Sequence, residues 1–328
     1  MSRIRVLCLG EILFDCLADR TGVALDLVES WTPYPGGAPA NVACALVKLG
    51  TSSGFIGCVG EDEPGNTLVN LIETLGVNVT GIQRHPTAPT RQVYVLRSQT
   101  GDRSFAGFGS YNTTEFADTR LQAADLPLNL LEDAEFLVSG TLELAYPKSR
   151  EAITRALHIA EQHHVKILVD VNWRPVFWPY PELAPQIMLD FLKYADFVKL
   201  SEEEAQWLFE TTDPSAIAQQ LDHCEGVLVT AGEKGCAYFL SENQGSLPAF
   251  AVDVVDTTGA GDSFVAGFVH QLCQHGIRAL ANPDTAKYIV TYASAVGALT
   301  ATKPGAIAAQ PTATEVEEFL RSHPNLSV

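Results

Sequence analysis

Short apolar runs rich in β-branched residues alternate along this chain with stretches of helix length, and this alternation restricts the fold more than any other feature. The runs are Ile4–Leu9, Gly54–Val59, Phe136–Ser139, Ile167–Val171, Phe197–Leu200 and Val227–Thr230. The helix-length stretches are Ala38–Leu49, Asn66–Leu75, Ser149–His163 and Ile187–Tyr194. Strands that are apolar throughout are buried on both faces. The pattern therefore predicts an α/β chain, a three-layer sandwich with a mainly parallel sheet flanked by helices. Ligands of such sheets sit at the carboxyl ends of the strands. Two segments fall outside the alternation. Asp19–Tyr34 has no helical pattern, and Arg91–Phe108 reads as a β-hairpin turning at Thr100-Gly101-Asp102. Strands from about 16–34 and 91–108 would form a small β-sheet lid that excludes water from the strand ends, the alternative being a surface hairpin without a role. The 328 residues, 46% hydrophobic, suit a single domain spanning 1–328 with the lid inserted in it.

A net charge of −18 argues against nucleic acid and against an anionic membrane surface, both of which need a basic face. An acidic protein that handles phosphates must do so locally, with backbone amides, a few Lys or Arg, and Mg²⁺. The seven cysteines show no C-x-x-C spacing and read as reduced core thiols. His270, Cys273 and His275 have no second cluster to complete a metal site. The basic start resembles a signal peptide, but Glu11 and Asp15 interrupt the apolar run. No segment approaches 18 uninterrupted apolar residues, so no membrane span is expected. These features read together as a cytoplasmic or stromal enzyme of small molecules.

Asp256-Thr-Thr-Gly-Ala-Gly-Asp262 places a carboxylate at the mouth of a phosphate cradle. Phe250–Val255 ahead of it reads as a strand, and Ser263–Cys273 after it as a helix ending at Gly276. The glycines thus fall at a helix N-terminus, whose unpaired N–H groups and positive dipole end bind anions. Gly259, Ala260 and Gly261 let an anion approach the backbone, and Asp262 suits a base that takes a proton from the attacking hydroxyl. The same residues also read as an ordinary helix start, with Thr258 as N-cap.

Other constellations gather at strand ends. Gly36 and Gly37 permit close approach by a ligand, Pro39 suits a first helical turn, and Asn41 could grip a polyol hydroxyl. Asp15 is either a hydroxyl acceptor or a solvated turn carboxylate. Arg174, after Asp170 and Asn172, would meet sugar oxygens or a phosphate, or else form a structural ion pair. Ser201 and Glu204 make an S-x-x-E capping box, and the Glu202–Glu204 cluster could also hold Mg²⁺ through water. Thr230, Gly232 and Gly235 lie in a glycine turn that is not a Walker A loop. The first strand lacks G-x-G-x-x-G, which counts against a nicotinamide dehydrogenase.

From Gly10-Glu-Ile-Leu-Phe-Asp15 to Lys303-Pro-Gly305-Ala306 the chain resembles the ribokinase-like, phosphofructokinase-B type sugar kinases, most of all their fructokinases. The resemblance implies ATP-dependent transfer of the γ-phosphoryl group to a sugar hydroxyl. Asp262 matches the base, and Gly259, Ala260 and Gly261 match the anion hole. Asp15, Gly36, Gly37 and Asn41 match sugar contacts, with Arg174 near the sugar and the transferred phosphate. Thr230, Gly232 and Gly235 match the nucleotide side. Glu204 matches a residue of the Mg²⁺ network, although Ser201 stands where many members carry Asn. A monovalent cation, usually K⁺, would be held mostly by backbone carbonyls at Asp256, Thr258, Thr300, Lys303 and Gly305. The alternatives are a 2-keto-3-deoxygluconate kinase, for which Arg91, Arg97 or Arg103 would supply a cation, and a nucleoside kinase stacking its base on Phe105, Phe108 or Tyr111. A catalytically silent sugar-binding relative is the reading from another class. The lid sheet offers an edge to a second subunit, which leaves monomer and homodimer both open.

Overall fold

The structure, a computed structural model, describes residues 3–98 and 103–323. The predicted turn at Thr100-Gly101-Asp102 lies outside the described residues. Among the described residues nine strands form the main sheet: β1 (Val6–Leu9), β4 (Ser53–Gly60), β5 (Asn78–His85), β8 (Phe136–Ser139), β9 (Lys166–Asp170), β10 (Phe197–Ser201), β11 (Gly226–Thr230), β12 (Cys236–Leu240) and β13 (Asn243–Leu247). Their spatial order is β13-β12-β11-β10-β9-β8-β1-β4-β5, parallel from β11 to β5 and antiparallel at β12 and β13. The remaining strands, β2 (Leu13–Ala18), β3 (Trp31–Gly36), β6 (Gln92–Arg97) and β7 (Arg103–Gly107), pair as a separate sheet in the order β3-β2-β6-β7. That is the expected lid, with strands slightly longer than the sequence suggests on the Leu13–Gly36 side.

Side chains alternate across β1 as the pleat requires. Val6 and Cys8 enter one core, and Leu7 and Leu9 the other. The first core is covered by α1 (Ala38–Lys48), α2 (Glu63–Thr74), α8 (Ala260–His275), α9 (Pro283–Ala301) and α10 (Ala313–Ser322). The second is covered by α3 (Leu128–Asp133), α4 (Pro147–Gln162), α5 (Ala184–Leu192), α6 (Glu202–Phe209) and α7 (Pro214–Gln220). All seven cysteines are free thiols, and all but Cys224 are buried. Among the described residues no helix is long and apolar enough to cross a membrane.

One expected strand is absent. Phe250–Val255 pairs with no ladder and runs as irregular chain. Phe250 packs its ring on Phe319 at 5.0 Å, while Val254 and Val255 are each 62% exposed. Apolar content alone does not make a strand: the Val255 and Asp256 amides donate instead to the Ala301 carbonyl at the end of α9, at 2.8 and 3.2 Å. The β-strands of the main sheet diverge from β1, with β4 on one side and β8 on the other, so the crevice at their carboxyl ends is the natural ligand position.

Candidate active site

Helix α8 begins after Gly259, whose φ of 76° is left-handed and favours glycine. A Cβ at Gly259 would also lie 2.8 Å from the Cβ of Ala306. Gly259, and not Thr258, is therefore the N-cap. Thr258 is diverted because its amide and hydroxyl donate to Oδ1 of Asp256 at 3.0 and 2.7 Å. The other Asp256 oxygen accepts the Gly305 amide at 3.0 Å, so one carboxylate ties two loops together. No side chain caps α8, and the amides of Gly261 and Asp262 bond no acceptor among the described residues. These two amides could receive an anion, whereas the Ala260 amide, expected beside them, donates to the Thr257 carbonyl at 3.2 Å.

Asp262 faces the start of α1. Its Oδ2 accepts from Nδ2 of Asn41 at 2.7 Å. Burial raises the pKa of Asp262 above the ordinary carboxylate value, while the Asn41 hydrogen bond and the fields of Lys199 and Arg174 pull it down. Asn41 is itself buried, and its Oδ1 has no partner among the described residues, which leaves an acceptor for a ligand hydroxyl. Gly36 belongs here for a reason of space, since a Cβ on it would stand 2.9 Å from Oδ2 of Asp15. Asp15 and Tyr34 of the lid share a cavity of about 100 Å³ with Asp256, Thr258 and Gly305. The lid therefore closes over the loops that carry the anion site.

On the other side of α8 lies a cavity of about 820 Å³, lined by Thr230, Gly232, Gly235 and Gly261 as the sequence suggests. Its far wall, Ser294, Gly297, Ala298 and Ala301 of α9, was not foreseen. Small residues at i, i+3, i+4 and i+7 were the available signal.

Two further residues lie beneath the anion site. Lys199 of β10 is directly opposite Asp170 of β9 in the parallel register. Its Nζ donates to both Asp170 oxygens, at 3.1 and 3.2 Å. Burial pushes the Asp170 carboxyl up to about 6 against the pull of Lys199, with Glu204 and Asp262 adding to the rise. Burial opposes the charge on Lys199, yet the fields of Asp170, Glu204 and Asp262 hold its pKa above the ordinary lysine value. Arg174 is exposed and donates to the Trp173 carbonyl at 3.0 Å, and no carboxylate among the described residues pairs with it. Glu11, 3% exposed, accepts the Ala38 amide at 2.9 Å and so fixes the start of α1.

The expected metal residues divide. Both Glu204 oxygens accept backbone amides, from Trp173 at 2.5 Å and Ser201 at 2.7 Å, and the Ser201–Glu204 capping box is complete. Asp256, Thr258 and Gly305 come together. The Thr300 hydroxyl turns back to the Val296 carbonyl at 2.9 Å, and Lys303 pairs with Glu315 at 3.2 Å, so only their backbones remain available to a cation. Two of the three lid cations are also committed. Arg91, 1% exposed, forms a bidentate pair with Asp118, and Arg97 donates to the Ala18 carbonyl. The Arg103 side chain lies outside the described residues. Phe105 and Phe108 pack on each other at 5.0 Å, and Tyr111 packs on Phe116 at 5.6 Å.

A sequence profile of the pfkB family carbohydrate kinases matches residues 3–313. Fructokinase-2 of Oryza sativa subsp. japonica is 34% identical over 323 residues, covering 98% of this chain and 95% of that protein. Among solved structures, a fructokinase from Xylella fastidiosa with bound ATP superposes with a TM-score of 0.89 at 30% identity, covering 98% of this chain and 100% of that one. A fructokinase double mutant from Vibrio cholerae O395, bound to fructose, ADP and a potassium ion, gives a TM-score of 0.83 at 29% identity, covering 97% and 99%.

Proposed function

We propose that this chain, which belongs to the pfkB family of carbohydrate kinases, is an ATP-dependent fructokinase that converts fructose to fructose 6-phosphate. One observation carries the reading. Asp262 and two unpaired amides occupy the start of α8, with the Asn41 and Asp15 side of the site before them and the 820 Å³ cavity behind. That is the arrangement in-line transfer requires, with the acceptor hydroxyl on the base and the γ-phosphate on the amides. Asp262 takes the hydroxyl proton as the oxygen attacks. The Gly261 and Asp262 amides, with Arg174, stabilise the charge that develops on the phosphoryl oxygens. Asn41 orients the carboxylate through its Nδ2 and presents Oδ1 to the sugar.

Mg²⁺ bound with the nucleotide would neutralise phosphate charge, and the lone pairs left on Glu204 would hold it through water. A monovalent cation such as K⁺ would fit the loops that Asp256 joins, using carbonyls of Asp256, Thr258, Thr300, Lys303 and Gly305. The Vibrio cholerae enzyme, which binds a potassium ion, supports that choice. A keto-acid sugar fits less well, because Arg91 and Arg97 are already engaged. The test is ADP release with Mg-ATP and K⁺ on a panel of fructose, glucose, ribose, 2-keto-3-deoxygluconate and adenosine. A fructose-selective signal is expected. Turnover selective for another sugar would replace the substrate, and ATP binding with no turnover on any acceptor would favour a silent relative.

A further inference from the structure

Lys199 is out of place in its strand. Its neighbours Val198 and Leu200 are fully buried apolar residues, and Lys199 itself is only 7% exposed. A buried ammonium needs compensation, and Asp170, 3% exposed, supplies it from the adjacent strand. Nothing in the packing of β9 on β10 demands a charged pair there, since a parallel strand of this kind is ordinarily apolar throughout. What distinguishes the position is the element above it. A Cβ on Gly261 would stand 3.1 Å from the Lys199 Nζ, so the ammonium lies directly under the anion-hole backbone. The absent side chain at Gly261 therefore makes room for a cation from below as well as for a phosphate from above.

We propose that Lys199, held by Asp170, is a positioning residue of the reaction: its charge keeps Asp262 ionised as a base from beneath the anion hole, without contacting sugar or nucleotide. The inference rests on the reading of Asp262 as the base. The groups that bear on Asp262 come from several elements: Asn41 of α1 by hydrogen bond, Lys199 of β10 and Arg174 after β9 as cations, Asp170 of β9 and Glu11 after β1 as carboxyls. Of the two cations, Arg174 is exposed and screened by solvent, whereas Lys199 is buried and fixed on a central strand. Asp170 has the lesser part in the balance. It anchors the ammonium, and its own protonation near pH 6 removes an opposing charge as the solution becomes more acidic.

The test is the acid limb of the kcat/KM profile for fructose, which reports the free enzyme's essential base. In Lys199→Met the limb should move up by about one pH unit, the ordinary worth of one nearby opposite charge. Because that variant leaves a buried carboxyl without its partner, the double variant Lys199→Met/Asp170→Asn provides a second measurement with no uncompensated charge. Its limb should also rise. Asp170→Asn alone keeps the cation, and its limb should not rise; Lys199→Arg should restore the wild-type position. A limb unmoved in the folded double variant would overturn the inference, as would an effect confined to the KM for ATP, which would mark a direct phosphate contact. The underlying reading fails differently: an acid limb that persists in the residual activity of Asp262→Asn would remove Asp262 as the base and the inference with it.

Discussion

Two helices of this protein begin in nearly the same way and do opposite things. Helices α1 and α8 each follow a glycine with positive φ, Gly37 at 105° and Gly259 at 76°, and each starts with alanine. Neither glycine can cap its helix with a side chain. At α1 the protein supplies the missing acceptor itself, because Glu11 reaches the Ala38 amide at 2.9 Å and Pro39 removes a second donor. At α8 no side chain among the described residues arrives, the Gly261 and Asp262 amides bond no acceptor there, and Gly261 lines the large cavity. The difference teaches that a glycine-led helix start acquires its role from its tertiary neighbour. The filled terminus is a scaffold that presents Asn41; the open one is where the proposed reaction places the ligand's charge.

The contrast can be broken from either side. The largest effect is expected at α8, where Asp262→Asn should keep the fold and nucleotide affinity but lose roughly 10²–10⁴ in kcat; steady-state kinetics beside calorimetric ATP binding would show it. Gly259→Val comes next. It strains a left-handed residue and crowds Ala306, and it should lower kcat on the order of 10²-fold, as loss of one anion-hole donor does. Equal turnover in a folded Gly259→Val protein would contradict the part assigned to that backbone. At α1, Glu11→Ala should cost about 1 kcal/mol of stability, as lost helix caps do, and raise the KM for fructose more than that for ATP. A rise in both constants alike would mean that Glu11 does not act through the sugar loop.

The same residue also predicts a change with pH. Burial raises the Glu11 carboxyl from 4.5 to about 8. Between those values the folded protein keeps a proton that the unfolded chain releases, so stability falls as pH rises through the window. Glu11→Gln lacks this proton, and its melting temperature should improve relative to wild type from pH 5 to pH 8. A constant difference across that range would show that Glu11 does not titrate as its burial implies.

What was legible in the sequence was local. The alternation of strands and helices, the Gly-Ala-Gly-Asp262 turn and the Gly36-Gly37 loop rest on periodicity and on glycine chemistry, which neighbouring residues determine. Phe250–Val255 was misread because its apolar residues serve a cavity and the Phe319 contact instead of a ladder. Thr258 was misread as a cap although the signal was local, since Asp256 two residues earlier takes both its donors in a side-chain turn. Lys199 carried a signal that went unused, a single cation inside the apolar strand Phe197–Leu200, but its partner is set by the register of β9 on β10. Glu11 likewise reaches a helix 27 residues away in sequence. Residues of this second kind become visible only when the sheet is assembled.

The most direct test of the account is a crystal structure with ADP, fluoroaluminate and fructose, in which the fluoroaluminate marks the transferring phosphoryl group. That group is expected on the Gly261 and Asp262 amides, with the sugar's primary hydroxyl on the Asp262 carboxylate and the start of α1 still closed by Glu11. A phosphoryl mimic bound away from α8, or a sugar hydroxyl out of reach of Asp262, would contradict it.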